Sequence, residues 1–187
     1  LLTLSGQELD LTRNIENDGT LLHLCAQRGC ARVAKELVRR GAMNSGHHSP
    51  LCVAAMMPQL HVVRNFLQQY QRRGQSELER ALSHPCLEGG QSYSLLGHVA
   101  TRRCLDDSEP HVAMTRYLVQ EWGVDVLKPT IVNTVSEREY IFMPVHVAAS
   151  QGALAMLTFS INECGMPVDI QSPTAHFTPL HLACTSA

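Results

Sequence analysis

The sequence encodes an all-α stack of helix-turn-helix units joined by hairpin loops, and three observations in its 187 residues lead there. A seven-residue motif recurs five times, as Thr20-Leu21-Leu22-His23-Leu24-Cys25-Ala26, Ser49-Pro50-Leu51-Cys52-Val53-Ala54-Ala55, Ser94-Leu95-Leu96-Gly97-His98-Val99-Ala100, Met143-Pro144-Val145-His146-Val147-Ala148-Ala149 and Phe177-Thr178-Pro179-Leu180-His181-Leu182-Ala183. Behind the first four copies a second apolar set returns at three- and four-residue steps, the spacing of one helix face. Breakers separate the two sets, so each unit reads as a pair of short helices.

In the first unit Thr20 is expected to cap a helix, its hydroxyl accepting from open amides of the first turn. Leu22, Leu24, Cys25 and Ala26 are expected to face inward, and Gly29 to end the helix left-handed. Val33, Ala34, Leu37 and Val38 form the apolar side of its partner, which Gly41 stops. The second unit repeats this with Leu51, Val53, Ala54 and Ala55, then Val62, Val63, Phe66 and Leu67; Pro58 breaks it by removing an amide. Ser76-Glu77-Leu78-Glu79 has the capping-box form and predicts an extra short helix over 77–83, ended by His84-Pro85.

The third unit has an irregular motif, an inserted loop over 104–110, and a helix carrying Val112, Met114, Tyr117, Leu118 and Val119 up to Trp122-Gly123. Between 128 and 142, Ile131, Val132, Val135, Tyr140, Ile141 and Phe142 flank the polar centre Ser136-Glu137-Arg138-Glu139. β-Branched and aromatic residues around a polar tip predict one extended two-stranded hairpin. The fourth unit continues with Val145, Val147, Ala148 and Ala149, then Leu154, Met156, Leu157 and Ile161, closed by Gly165.

The motif resembles the T-P-L-H-x-A signature of the ankyrin repeat, clearly in copies one, two, four and five and less so in the third. Counted from the Thr position, the copies start at 20, 49, 94, 143 and 178, with intervals of 29, 45, 49 and 35 residues. Against the family step of about 33 residues, the first interval is shortened, the middle two carry insertions and the last is near regular. The resemblance implies one array: the end of a preceding repeat (1–16), repeat one (17–44), repeat two with an insert at 71–89 (45–89), repeat three (90–126), repeat four with the long hairpin at 128–142 (127–172) and a truncated repeat five (173–187). The missing initiator Met and the last helix without its partner lead us to expect a segment of a longer polypeptide or larger assembly.

The same resemblance implies that His23, His146 and His181 tie turns between repeats, and that partners meet the hairpin tips and the residues just after each motif. Those positions are Glu16, Asn17, Gln27 and Arg28 in the first repeat; His47, His48, Met56 and Met57 in the second; Gln91, Tyr93, Thr101 and Arg102 in the third. The fourth contributes Tyr140, Phe142, Ser150 and Gln151, and the fifth Thr174, His176 and Phe177. Exposed Met, Tyr and Phe in one row fit an interface, where such residues are enriched.

Composition excludes other classes. With 15 basic and 17 acidic residues there is no polyphosphate attraction, so nucleic acid is not the expected ligand. No apolar run reaches the ~18 residues of a membrane span, so no membrane insertion is expected. The seven cysteines are odd in number and scattered, and read as reduced thiols of a cytoplasmic protein, with Cys25, Cys52 and Cys184 as small buried residues of the motif. His23, Cys25 and Cys30 lack a second pair at finger-like spacing, so neither a metal nor another cofactor is expected. Asp106, Asp107 and Glu109 lack the ligand spacing of a calcium loop. No nucleophile-and-base constellation or phosphate loop is present. The expected function is therefore a non-catalytic scaffold or adaptor binding other proteins. The alternatives are a regulatory segment of a larger enzyme or channel, or a component of a cytoskeletal or ciliary assembly.

Overall fold

A computed structural model describes residues 19–42, 49–88, 91–101, 109–135 and 138–185. In chain order the elements are α1 (Leu21–Arg28), α2 (Ala31–Arg39), α3 (Pro50–Met56), α4 (Leu60–Arg73), α5 (Gln75–Ser83), β1 (Cys86–Glu88), β2 (Gln91–Tyr93), α6 (Leu95–Ala100), α7 (Glu109–Trp122), β3 (Thr130–Val135), β4 (Arg138–Phe142), α8 (Pro144–Ser150), α9 (Leu154–Asn162) and α10 (Pro179–Thr185). The helices form two rows. Each motif supplies a helix of the first, in which α1 packs on α3, α3 on α6, α6 on α8 and α8 on α10. The second row runs α2 on α4, α4 on α7 and α7 on α9. Small residues explain the close first row: Ala26, Ala54, Ala55, Ala100 and Ala148 are all buried there.

The largest apolar cluster runs from Leu22 through Leu51, Phe66, Leu67 and Leu96 to Met114 and Leu118. Smaller clusters continue it around α8, one with Ala100, Val147, Ala148 and Met156 and another with Met143, Val145 and Met166. Polar contacts stitch the second row from outside. The Arg64 guanidinium lies 5.0 Å from the Tyr117 ring centroid, joining α4 to α7. Arg116 of α7 forks onto Glu163 beyond α9, with N···O distances of 2.6 and 3.1 Å, and that pairing holds the Glu163 carboxyl below its ordinary range.

Gly29 ends α1 at φ 73, where the left-handed region is cheap for glycine, as its position in the sequence predicts. The extra helix is α5, one turn's fraction longer than expected because it begins at Gln75, behind Gly74 rather than at a serine cap. Thr20 caps α1 differently from expectation: its hydroxyl lies 2.9 Å from His23 Nδ1, which also accepts from the Thr20 amide at 3.0 Å. Three apolar residues assigned inward are instead exposed, Leu24 at 40%, Val33 at 46% and Leu154 at 60%. Each belongs to a short helix whose single packed stripe is narrower than its apolar content. Cys184 is exposed as well, on α10, which packs on α8.

The all-α expectation needs one correction. The long hairpin β3–β4 is present, with Thr130 opposite Phe142 and Val135 opposite Arg138 and an irregularity between Val132 and Thr134. A second hairpin, β1–β2, runs from the end of the insert over 71–89 into residues 91–93, and the two join edge to edge where Ser92 pairs with Ile131. The result is a four-stranded antiparallel sheet in the order β1-β2-β3-β4. Isolated hairpins are marginal in water, and pairing side by side removes one exposed edge from each. Strands of three residues such as Cys86–Glu88 carry too little pattern to be seen in sequence.

The cysteine reading also needs correction. Cys52 on α3 and Cys86 on β1 form a disulfide, their Cα atoms 5.8 Å apart across 34 residues of sequence. The insert folds back over α3, and nothing in the spacing of the two residues announces that return. Cys25, Cys30, Cys164 and Cys184 are free thiols, and burial followed by the nearby Cys30 raises the Cys25 thiol. No helix among the described residues is long and apolar enough to cross a membrane.

Candidate functional site

A concavity of about 430 Å³ lies where the sheet meets the first row of helices. Its wall is built by Gln91 and Tyr93 of β2, Thr101 after α6, Phe142 at the end of β4, Val147 and Ser150 of α8, Gln151 and Leu182 of α10. Position follows from the repeat. A strand ends two residues before the start of α6 and of α8, so Tyr93 and Phe142 stand at the entry of these helices, while Thr101 and Gln151 stand at their exits. Rings are held in place by neighbours: Tyr93 stacks on His98 at 5.9 Å and donates its hydroxyl to Gln91 Oε1. Phe142 stacks on Tyr140 at 6.4 Å and tilts against His146 at 5.9 Å. Pre-placed aromatics lose little freedom when a ligand arrives. Among the described residues the wall carries no formal charge, only apolar surface with amide and hydroxyl groups.

Six of the positions named from the sequence, Gln91, Tyr93, Thr101, Phe142, Ser150 and Gln151, thus share one surface. Others stand elsewhere. Gln27 and Arg28 are exposed at the end of α1, and Met56 and Met57 are half-buried at the end of α3, outside this concavity. Tyr140 is half-buried behind Phe142. His176 is exposed at φ 54, the one positive-φ residue other than glycine among those described. Phe177 is 40% exposed with its ring 6.0 Å from His181. Glu16, Asn17, His47, His48 and Arg102 lie outside the described residues, as do the inserted loop's Asp106 and Asp107. The sequence does not single out Val147 and Leu182 as contacts, because both sit inside the motif rather than before or after it.

His23, His146 and His181 each accept at Nδ1 from the backbone amide three residues earlier, and for His146 the tie to a following turn that the resemblance implies is seen. His146 is the fullest case: Nδ1 accepts from the Met143 amide at 3.3 Å, and Nε2 lies 2.9 Å from the Phe177 carbonyl and 3.1 Å from that of Ile170. One ring nitrogen accepts and the other donates, so the neutral tautomer is the one that fits. Burial lowers the His146 pKa, outweighing the two carbonyls that favour the charged form. A depressed folded pKa means that the unfolded chain takes up the proton first as pH falls. Stability contributed by neutral His146 is thus complete above the ordinary imidazole value of about 6.5 and is lost as pH drops through the folded pKa. His146→Gln should flatten that part of the stability-against-pH curve, measured by urea unfolding from about pH 7.5 to about pH 5, the span of ordinary imidazole titration; an unchanged slope would contradict the assignment.

Residues 17–45, which include α1 and α2, match the family model of the ankyrin repeat. The resemblance seen in the motif is supported in that segment. No curated protein matches the sequence.

Proposed function

We propose that this chain is a non-catalytic protein-interaction module, an ankyrin-type solenoid that holds a segment of another protein in the concavity between its sheet and its first row of helices. Ankyrin repeats in general mediate protein–protein contacts, and the observation that carries the reading here is the wall itself. Tyr93 and Phe142 offer aromatic anchor points at the two hairpin ends, with Gln91, Ser150 and Gln151 beside them. An uncharged wall of this composition suits a partner segment with a large apolar side chain flanked by exposed backbone amides, which the glutamines can meet.

Affinity capture with the intact array, followed by titration of the captured segment, tests this. Phe142→Ala and Tyr93→Ala are each expected to weaken binding by about 1–2 kcal/mol, roughly tenfold, as anchor residues do. Melting should change little, because both rings are only half-buried. Equal affinity for both variants and the wild type would move the contact to another surface.

A further inference from the structure

We propose that the dithiol form of this protein binds a thiophilic closed-shell metal ion, Zn²⁺ or Cu⁺, through Cys52, Cys86 and His98. The sulfur atoms of the two cysteines and a ring nitrogen of His98 all lie within 4.8 Å of one another, and all three residues are buried, at 2%, 0% and 3% exposure. They come from three separate elements, α3, β1 and α6. Thiolate and imidazole donors are the soft and borderline set that selects these ions, at bond lengths of about 2.3 Å to sulfur and 2.0–2.1 Å to nitrogen. A Cα separation of 5.8 Å lets the two cysteines meet either each other or one ion.

A second observation singles this cluster out. The fourth place of the motif is His23, Cys52, Gly97, His146 and His181 in the five copies. Three of these are histidines that tie a turn, and the two departures fall in the repeats that supply Cys52 and His98. In repeat two the substitution leaves buried Ser49 Oγ with no hydrogen-bond partner among the described residues, where Thr20 and Thr178 meet an imidazole at 2.9 and 2.7 Å. In repeat three the tie is made without a histidine, by Thr130 Oγ1, 3.0 Å from Ser94 Oγ and 3.4 Å from the Ser94 amide. His98, one place later in the motif, is thereby released from that task and stands beside the two sulfurs. Architecture alone would have kept a histidine at position 52.

Disulfide and ion exclude each other. A phosphine reductant opens the Cys52–Cys86 bond to two thiols, itself becoming a phosphine oxide with oxygen from water. Each thiol then gives its proton to solvent as its sulfur takes the metal, so binding tightens as pH rises. Zn²⁺ in this site would complete four-coordination with a small exogenous ligand, whereas Cu⁺ is satisfied by three donors.

The test uses the whole chain, phosphine-reduced and free of oxygen, with Co²⁺ as the spectroscopic stand-in for Zn²⁺ and Cu⁺ titrated separately. One equivalent of either ion should give a sulfur-to-metal charge-transfer band and raise the melting temperature. Cys86→Ser and His98→Ala should lose the band, while the Cys25→Ala/Cys30→Ala double variant keeps it and the oxidised protein shows none. Response to Cu⁺ but not Co²⁺ assigns a three-coordinate site, and response to both a site open to a fourth ligand. No band with either ion, or a band that survives His98→Ala in a variant whose far-ultraviolet circular dichroism is native, overturns the proposal. If His98→Ala does not fold, a retained band in Cys86→Ser overturns it equally. Partner binding through Phe142 and Tyr93 is read in a separate assay, so failure here leaves that function standing.

Discussion

Phe66→Ala is expected to lower stability by about 3–5 kcal/mol, the range for emptying an aromatic site in a packed core. Phe66 is among the largest fully buried side chains, at 1% exposure, on the inward side of α4. That helix packs on α2, α3, α5 and α7, so the void would open where both rows and the inserted helix converge. Little can collapse into it, because the neighbours Val62, Val63 and Leu67 are themselves buried in the same helix. Urea unfolding followed by circular dichroism measures the loss. Leu154→Ala provides the comparison: at 60% exposure it should fall within about 0.5 kcal/mol of wild type. A Phe66→Ala loss as small as that would remove Phe66 from the core.

The second large effect is expected where a helix gains a methyl group. In an open helix Gly→Ala stabilises by up to about 1 kcal/mol, but Gly97→Ala should destabilise by about 1–3 kcal/mol, as overpacking does. A Cβ at Gly97 would lie 2.1 Å from Thr130 Oγ1 and 3.1 Å from Thr130 Cβ. Thr130 cannot give way: it is fully buried and its hydroxyl is held by Ser94. Thr130→Ala alone should cost about 1 kcal/mol through its lost hydrogen bonds. In that background the added methyl at 97 should become neutral or favourable, giving a coupling that a double-mutant cycle reads directly. Simple additivity of the two changes would show that the hairpin does not press on α6 in solution.

The helical part of the fold was legible because it is local. Leu22 and Ala26, or Val62, Phe66 and Leu67, mark one helix face within a single turn or two, and Gly29 marks a stop wherever the helix is placed. The turn-tying histidines were legible for the same reason, since His146 sits three residues from the Met143 amide that it accepts from. Six of the eight residues of the candidate binding wall could also be named in advance, because Gln91, Tyr93, Thr101, Phe142, Ser150 and Gln151 hold fixed places before and after a repeated helix. Val147 and Leu182 could not: whether an apolar motif residue faces a neighbour or an opening depends on the spacing between repeats, which insertions alter.

Period and punctuation in the chain therefore settled the repeat, its helix pairs, the long hairpin and the entry and exit positions that line the concavity. Only the tertiary structure decided that two hairpins merge into one sheet where Ser92 meets Ile131, that Thr130 replaces a histidine, and that Cys52, Cys86 and His98 converge. The physical reason is separation along the chain. A helix face is dictated by residues three or four apart, whereas these pairings join segments whose approach is set by how much the intervening repeats bury, and no short pattern encodes that distance.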